Sequence, residues 1–172
     1  MGEIKSTLDL VMERTRHMSL SAEEKAKQQQ AEFEKRLSGL LQQYADNVLT
    51  LNEVQSRITE LQQKKNVSDL KVVITAVLAR VDLDQENEHW LVLLDKLKPV
   101  ACDPLKNILS AYDKQKNGLL QNSARQMSDR LSRSLGIRGP AVVPNPLKDS
   151  QYRNELAILQ KETRIRIKAI TK

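Results

Sequence analysis

Outside the carboxylates, the residues best suited to nucleophilic or metal chemistry are Cys102, His17 and His89. A thiolate beside an imidazole is the nucleophile–base pair of covalent catalysis. Cys102 precedes Pro104, an expected helix start, and a helix N-terminus lowers a thiol pKa. Yet a lone small cysteine is commonly a core residue, and nothing else in the sequence supports a nucleophile. Zinc sites set ligands at short helical spacings, and no two of these three residues lie three or four positions apart. Glu23-Glu24 and the pair Asp82 and Asp84 read as caps and solvated faces rather than acid–base dyads. Neither GxxxxGK[ST] nor GxGxxG occurs, which disfavours an ATPase or a dinucleotide enzyme. The expectation is a protein that is not an enzyme, with no cofactor, metal or small-molecule site.

Anion binding is the next chemistry to weigh. The stretch GIRGPAVVPNP, residues 136 to 146, holds two of the five glycines and three of the five prolines. Gly136-Ile-Arg-Gly139 resembles the GXXG turn with which KH domains clamp nucleic-acid phosphates. The resemblance implies that Arg138 neutralises the phosphate, with Arg133 and Lys148 nearby. It covers four residues only, and the strands that accompany this turn in a KH domain are not legible. The stretch therefore reads as a helix C-cap at Gly136 followed by an extended connector. Ala141, Val142 and Val143 are expected to pack on the bundle while the prolines stiffen the path. Further on, Lys161, Arg164 and Lys168 step by three and four. That geometry could follow a nucleic-acid backbone or an acidic protein face. Base stacking is poorly served, because the basic part has only Tyr112 and Tyr152 as aromatics.

Those cations belong to a lopsided chain of 172 residues with a net charge of +6. The first hundred residues hold 14 Lys and Arg against 16 Asp and Glu, whereas residues 101–172 hold 14 against 6. Such asymmetry points to an acidic partner. One cysteine cannot form an internal disulfide, so a reducing, cytoplasmic setting is expected. No apolar run is long enough for a membrane span. The opening MGEIKSTLDLVMERT lacks the apolar core of a secretory signal. Its Met1-Gly2-x-x-x-Ser6 matches the loose myristoylation pattern, which Glu3 argues against.

Helices must position these residues. Aromatics amount to only 3% of the chain, so its core has to come from aliphatic side chains, and the composition favours helix on helix. A first helix is expected over 3–16 from Ile4, Leu8, Val11 and Thr15, with His17 at its C-terminus. Ser21 and Glu24 form a capping box for the next, whose start near 22–32 reads as a polar arm. Phe33, Leu37, Leu40, Leu41 and Tyr44 then mark a docking face. Asp46-Asn47 ends it, and Thr50 with Glu53 opens another. There Leu51, Val54, Ile58 and Leu61 form a heptad-like stripe suited to helix pairing.

Residues 70–79 fit a helix through Leu70, Val73 and Val77, but VVIT also suits a strand. A helix over about 85–98, carrying Trp90, should stop at Pro99, and Pro104 should start the next. That helix runs to Leu135, with a C-cap or bend at Asn117-Gly118. The last helix, 148–172, carries Leu156, Leu159, Ile167 and Ile170, although RIRIKAI at 164–170 also alternates at period two.

The expected fold is all-α: a multi-helix bundle over 1–135, a Gly/Pro connector over 136–147, and a basic C-terminal helix over 148–172 packed on the same domain. GEIKSTLDLVMERT and AVVPNP together resemble small helical proteins of bacteria with no assigned function, which implies a bacterial cytoplasmic protein. The function expected is protein–protein contact, with self or another chain, through the Leu51–Leu61 stripe. The alternative is nucleic-acid association through Arg133, Arg138, Lys161, Arg164 and Lys168.

Overall fold

The computed structural model describes residues 21–171 except 66, 68, 138 and 140–142. The helix expected over 3–16, His17, and Arg138 lie outside the described residues. Six α-helices and no strand occur among the described residues, so the fold is all-α. They are α1 (Ala22–Ala45), α2 (Leu51–Lys65), α3 (Leu70–Leu78), α4 (Glu88–Leu97), α5 (Pro99–Leu135) and α6 (Ser150–Ala169). Both segments that also suited a strand, the β-branched run in 70–79 and the alternating 164–170, fall in helices, which end at Leu78 and Ala169.

The chain forms two compact units that divide between residues 68 and 69. The division falls inside the stretch 1–135 that the sequence suggested as one bundle. Its cause is the packing order. In the first unit α1 packs on α2. In the second α3 packs on α4 and α6, α4 on α5, and α5 on α6.

In the first unit, local chemistry sets both helix starts. Ser21 Oγ accepts from the Glu24 amide while the Glu24 carboxylate accepts from the Ser21 amide. Thr50 and Glu53 repeat this reciprocal pair at α2. Each cap is worth about 1 kcal/mol. Residues 23–32 are exposed, as a polar arm requires, and burial begins at Phe33. α1 ends in a Schellman turn. Asn47 takes φ 57°, its amide donates to the Tyr44 carbonyl, and the Val48 amide donates to the Gln43 carbonyl. Phe33, Leu37 and Leu41 of α1 and Val54, Ile58 and Leu61 of α2 are buried.

In the second unit, Asp69 caps α3 by accepting from the Lys71 amide. α3 buries Val73, Ile74, Val77 and Leu78, so its β-branched residues serve as core rather than as a pleated surface. α4 buries Trp90, Leu93 and Leu94.

α5 starts at Pro99, five residues earlier than expected, and Pro104 lies inside it. Pro104 removes the amide that would bond the Val100 carbonyl. Pro104 is exposed and Val100 is 80% exposed, so water can serve that carbonyl and the helix continues. The bend expected at Asn117-Gly118 is absent, because α5 runs unbroken to Leu135. Gly136 ends it at φ 66°, its amide donating to the Leu131 carbonyl, which fulfils the expected C-cap.

Beyond it, Val143 is 83% exposed and does not pack on the bundle as expected. Ala141 and Val142 of the same expectation lie outside the described residues, and Asn145 and Leu147 are exposed like Val143, where backbone can meet water. A 3-10 turn over Pro146–Lys148 follows, and Asp149 then caps α6 by accepting from the Gln151 amide. The last helix therefore starts at Ser150 rather than 148. It buries Tyr152, Leu159, Thr163 and Ile167. Leu156 and Ile170, expected in that stripe, are half-buried.

Candidate functional site

The helix-pairing stripe is used within the chain. Val54 is 0%, Ile58 1% and Leu61 6% exposed, while Leu51 is half-buried. α2 packs on α1, and an ion pair of 2.5 Å joins Lys65 of α2 to Glu32 of α1. The hydrogen bond from Lys65, with its positive charge, holds the Glu32 carboxyl below its ordinary pKa. Three of the four stripe residues are thus covered by the chain's own packing. What the first unit does present is an open groove of about 380 Å³, rimmed by Arg36, Arg57, Glu60 and Lys64 with Leu40 and Leu61 inside.

Of the residues expected in a loop grip, the structure describes Gly136, Gly139, Arg133 and Lys148. Arg133 is highly exposed and turns back to Asp129, one turn earlier on α5, at 3.9 Å. Arg138 lies outside the described residues. Gly136 and Gly139 both take positive φ, 66° and 135°. The glycines thus serve the chain's path, as the connector reading anticipated.

Cys102 is a free thiol at 1% exposure, and its Sγ lies 3.6 Å from the Leu91 carbonyl oxygen, to which it donates. It packs as a small apolar side chain. His89 is exposed and stacks at a tilt on Trp90, with ring centroids 4.5 Å apart. Arg80 caps that tryptophan at 5.8 Å. Among the described residues no group of three His, Cys, Asp or Glu is placed to hold a metal ion. No described helix is long and apolar enough to cross a membrane.

One well-connected polar group was read from the sequence as a solvated carboxylate. Asp84, in the loop between α3 and α4, accepts from Lys116 Nζ at 2.5 Å, from Tyr112 Oη at 3.2 Å and from Gln160 Nε2 at 3.1 Å. Tyr112 and Lys116 stand one turn apart on α5, and Gln160 is on α6. Asp82 accepts from the Asp84 amide, which closes a turn within the loop rather than capping a helix. The Asn87 side chain closes the same loop onto the Asp82 backbone. The hydrogen bond from Lys116 lowers the Asp84 pKa, and the same bond raises that of Lys116. Burial raises the Tyr112 hydroxyl. The only sequence signal for this cluster was an aromatic and a lysine four apart on a helix. The arrangement fixes a loop to two helices.

A second polar joint lies nearby. Ser123 Oγ on α5 is 3.0 Å from Asp149 Oδ2, which lets the α6 cap also tie α6 to α5. Beside it is a cavity of about 220 Å³ lined by Asn122, Gln126, Gln151 and Glu155, among others.

The basic residues of α6 are where the sequence placed them. Lys161, Arg164 and Lys168 are exposed, with Arg166 beside them. The sequence reading missed that Ile158 and Ile165, 58% and 60% exposed, lie among them. Their spacing of seven puts both on one row, on the side away from Tyr152, Leu159, Thr163 and Ile167. The outer face of α6 is thus a stripe of two isoleucines flanked by Lys161 and Lys168 on one side and by Glu162 and Arg166 on the other. No protein-family model, curated protein or solved structure matches the chain, so the surface is read from its own chemistry.

Proposed function

We propose that this chain is a non-enzymatic helical protein that works through protein–protein contacts, with the outer face of α6 as the docking surface. The observation that supports this most is the pair Ile158 and Ile165, large aliphatic side chains more than half exposed on an otherwise well-packed helix. An apolar row rimmed by charge is the pattern by which helices recognise acidic amphipathic partners. The free, buried Cys102 suits a reducing compartment such as the cytoplasm. A photo-crosslinker at Asn154, exposed on the same face, tests the reading in the native cell. It should capture protein from the wild-type chain and lose that capture when Ile158→Asp and Ile165→Asp are added. Capture that ignores both substitutions would sink the reading.

A second reading has its own support. Lys161, Arg164 and Lys168 are exposed cations at helical spacing, and the second half of the chain is strongly basic. Contact with a nucleic-acid backbone would show as salt-sensitive binding of DNA or RNA that weakens in Arg164→Ala with Lys168→Ala. Absence of binding at low salt removes it.

A further inference from the structure

α4 and α6 carry matching outward stripes of opposite charge. On α4, Glu88, Val92 and Asp95 are exposed, Val92 by 42%, on a helix that buries Trp90, Leu93 and Leu94. On α6, Lys161, Ile165 and Lys168 are exposed, on a helix that buries Leu159, Thr163 and Ile167. The two rows have the same pattern: a charge, an aliphatic residue four positions later, a charge three positions after that. At 1.5 Å per residue each row spans about 10 Å. Laid in parallel register, Lys161 meets Glu88, Ile165 meets Val92, and Lys168 meets Asp95. Exposed Arg164 adds a cation beside the α6 row, while exposed Glu162 and, on α4, exposed Lys96 carry the opposite sign at the edge of each row. Among the described residues no ion pair engages Glu88, Asp95, Lys161, Arg164 or Lys168.

We infer that the partner for the α6 face is a second copy of this chain, which offers its α4 stripe. This rests on the docking reading above and names its occupant. One copy cannot satisfy itself, because both stripes face water in the single chain. Two copies can, since each holds both stripes. A two-fold arrangement would place the α6 of each on the α4 of the other and make the contact twice. A single pair of short rows falls below the area of a standard interface. The doubled contact therefore forms a weak dimer, concentration-dependent and sensitive to salt.

The experiment is sedimentation of the full chain at low and high salt. Wild type should approach dimer mass at high concentration and low salt, and return to monomer at high salt. Lys161→Glu with Lys168→Glu should be monomeric, as should Glu88→Lys with Asp95→Lys. Mixing the two variants should restore the dimer, because both contacts are then complementary again. Circular dichroism on each variant verifies that the helices persist. A wild type that stays monomeric, charge reversals that leave the dimer intact, or a mixture that does not recover would each overturn the inference. The crosslink from Asn154 reports separately. Its loss with Ile158→Asp and Ile165→Asp in a monomeric protein would mean that α6 docks some other chain.

Discussion

Lys116 sets its ammonium 2.5 Å from Asp84 Oδ1, across 32 residues of chain. The pair is half-exposed, so water screens it and its charge attraction is worth about 1 kcal/mol at most. Asp84→Ala also strips a partner from the Tyr112 hydroxyl, on a side chain that is 1% exposed, which adds about 1 kcal/mol. The expected loss is about 1–2 kcal/mol in urea unfolding, with α-helix content unchanged.

The same pair sets the pH response. Asp84 titrates below its ordinary value, so its contribution is present above about pH 4 and fades as pH falls further. Lys116 titrates above its ordinary value, so its contribution is full below about pH 10.4 and fades as pH rises through the folded value. Unfolding followed against pH should show both limbs in wild type. Asp84→Ala should flatten the acid limb, and an unchanged limb would assign the acid response to other carboxylates.

Gly118 discriminates a continuous α5 from a broken one. Its backbone is helical, and a Cβ added there would meet nothing within 4 Å. Gly118→Ala should therefore raise stability by about 0.5–1 kcal/mol. Were Gly118 a left-handed cap, the same change would lower stability. Thermal melting distinguishes the two by sign.

Asn47 takes the position that glycine fills in most Schellman turns. Asn47→Gly should be close to neutral, whereas Asn47→Val should cost about 1–2 kcal/mol, since a β-branched residue resists positive φ. Urea titration of the pair reads the difference directly.

Cys102 should react with a thiol reagent only as fast as the α4–α5 region opens. At 1% exposure the thiol is shielded in the closed state. Modification in native buffer should be slow and should accelerate in urea along with the loss of helix signal. Rapid modification without unfolding would contradict the packing.

The elements were legible where a local rule decides them. Ser21 with Glu24, Thr50 with Glu53, and Gly136 announce helix ends through chemistry confined to four or five residues. Pro104 misled because a proline pattern fits a helix start, while exposure of the missing bond decides whether the helix can run through it. The division near residue 68 was not legible, because periodicity reports a buried face but not what covers it. For the same reason the Leu51–Leu61 stripe announced a helix-pairing face but not that α1 packs on its helix. The α6 cations were legible from spacing alone. Ile158 and Ile165 were passed over, because the stripe Leu156, Leu159, Ile167 and Ile170 already accounted for the helix's packing face. Asp84 was the least legible, since its partners come from two distant helices.

That distance has a consequence for how the second unit comes together as it is made. Asp84 is separated by 28 and 32 residues from its two α5 partners and by 76 from Gln160. Synthesis proceeds at about 5–20 residues per second, so α5 becomes available seconds before Gln160 is joined to the chain. During that interval Asp84 and Lys116 can already hold the loop against α5, and α6 arrives at a carboxylate fixed in position. Closing the longer span then adds less than about 1 kcal/mol of loop entropy over the shorter one. The carboxylate thus works as a staging point, joined first by the neighbour made earlier and last by the helix at the far end.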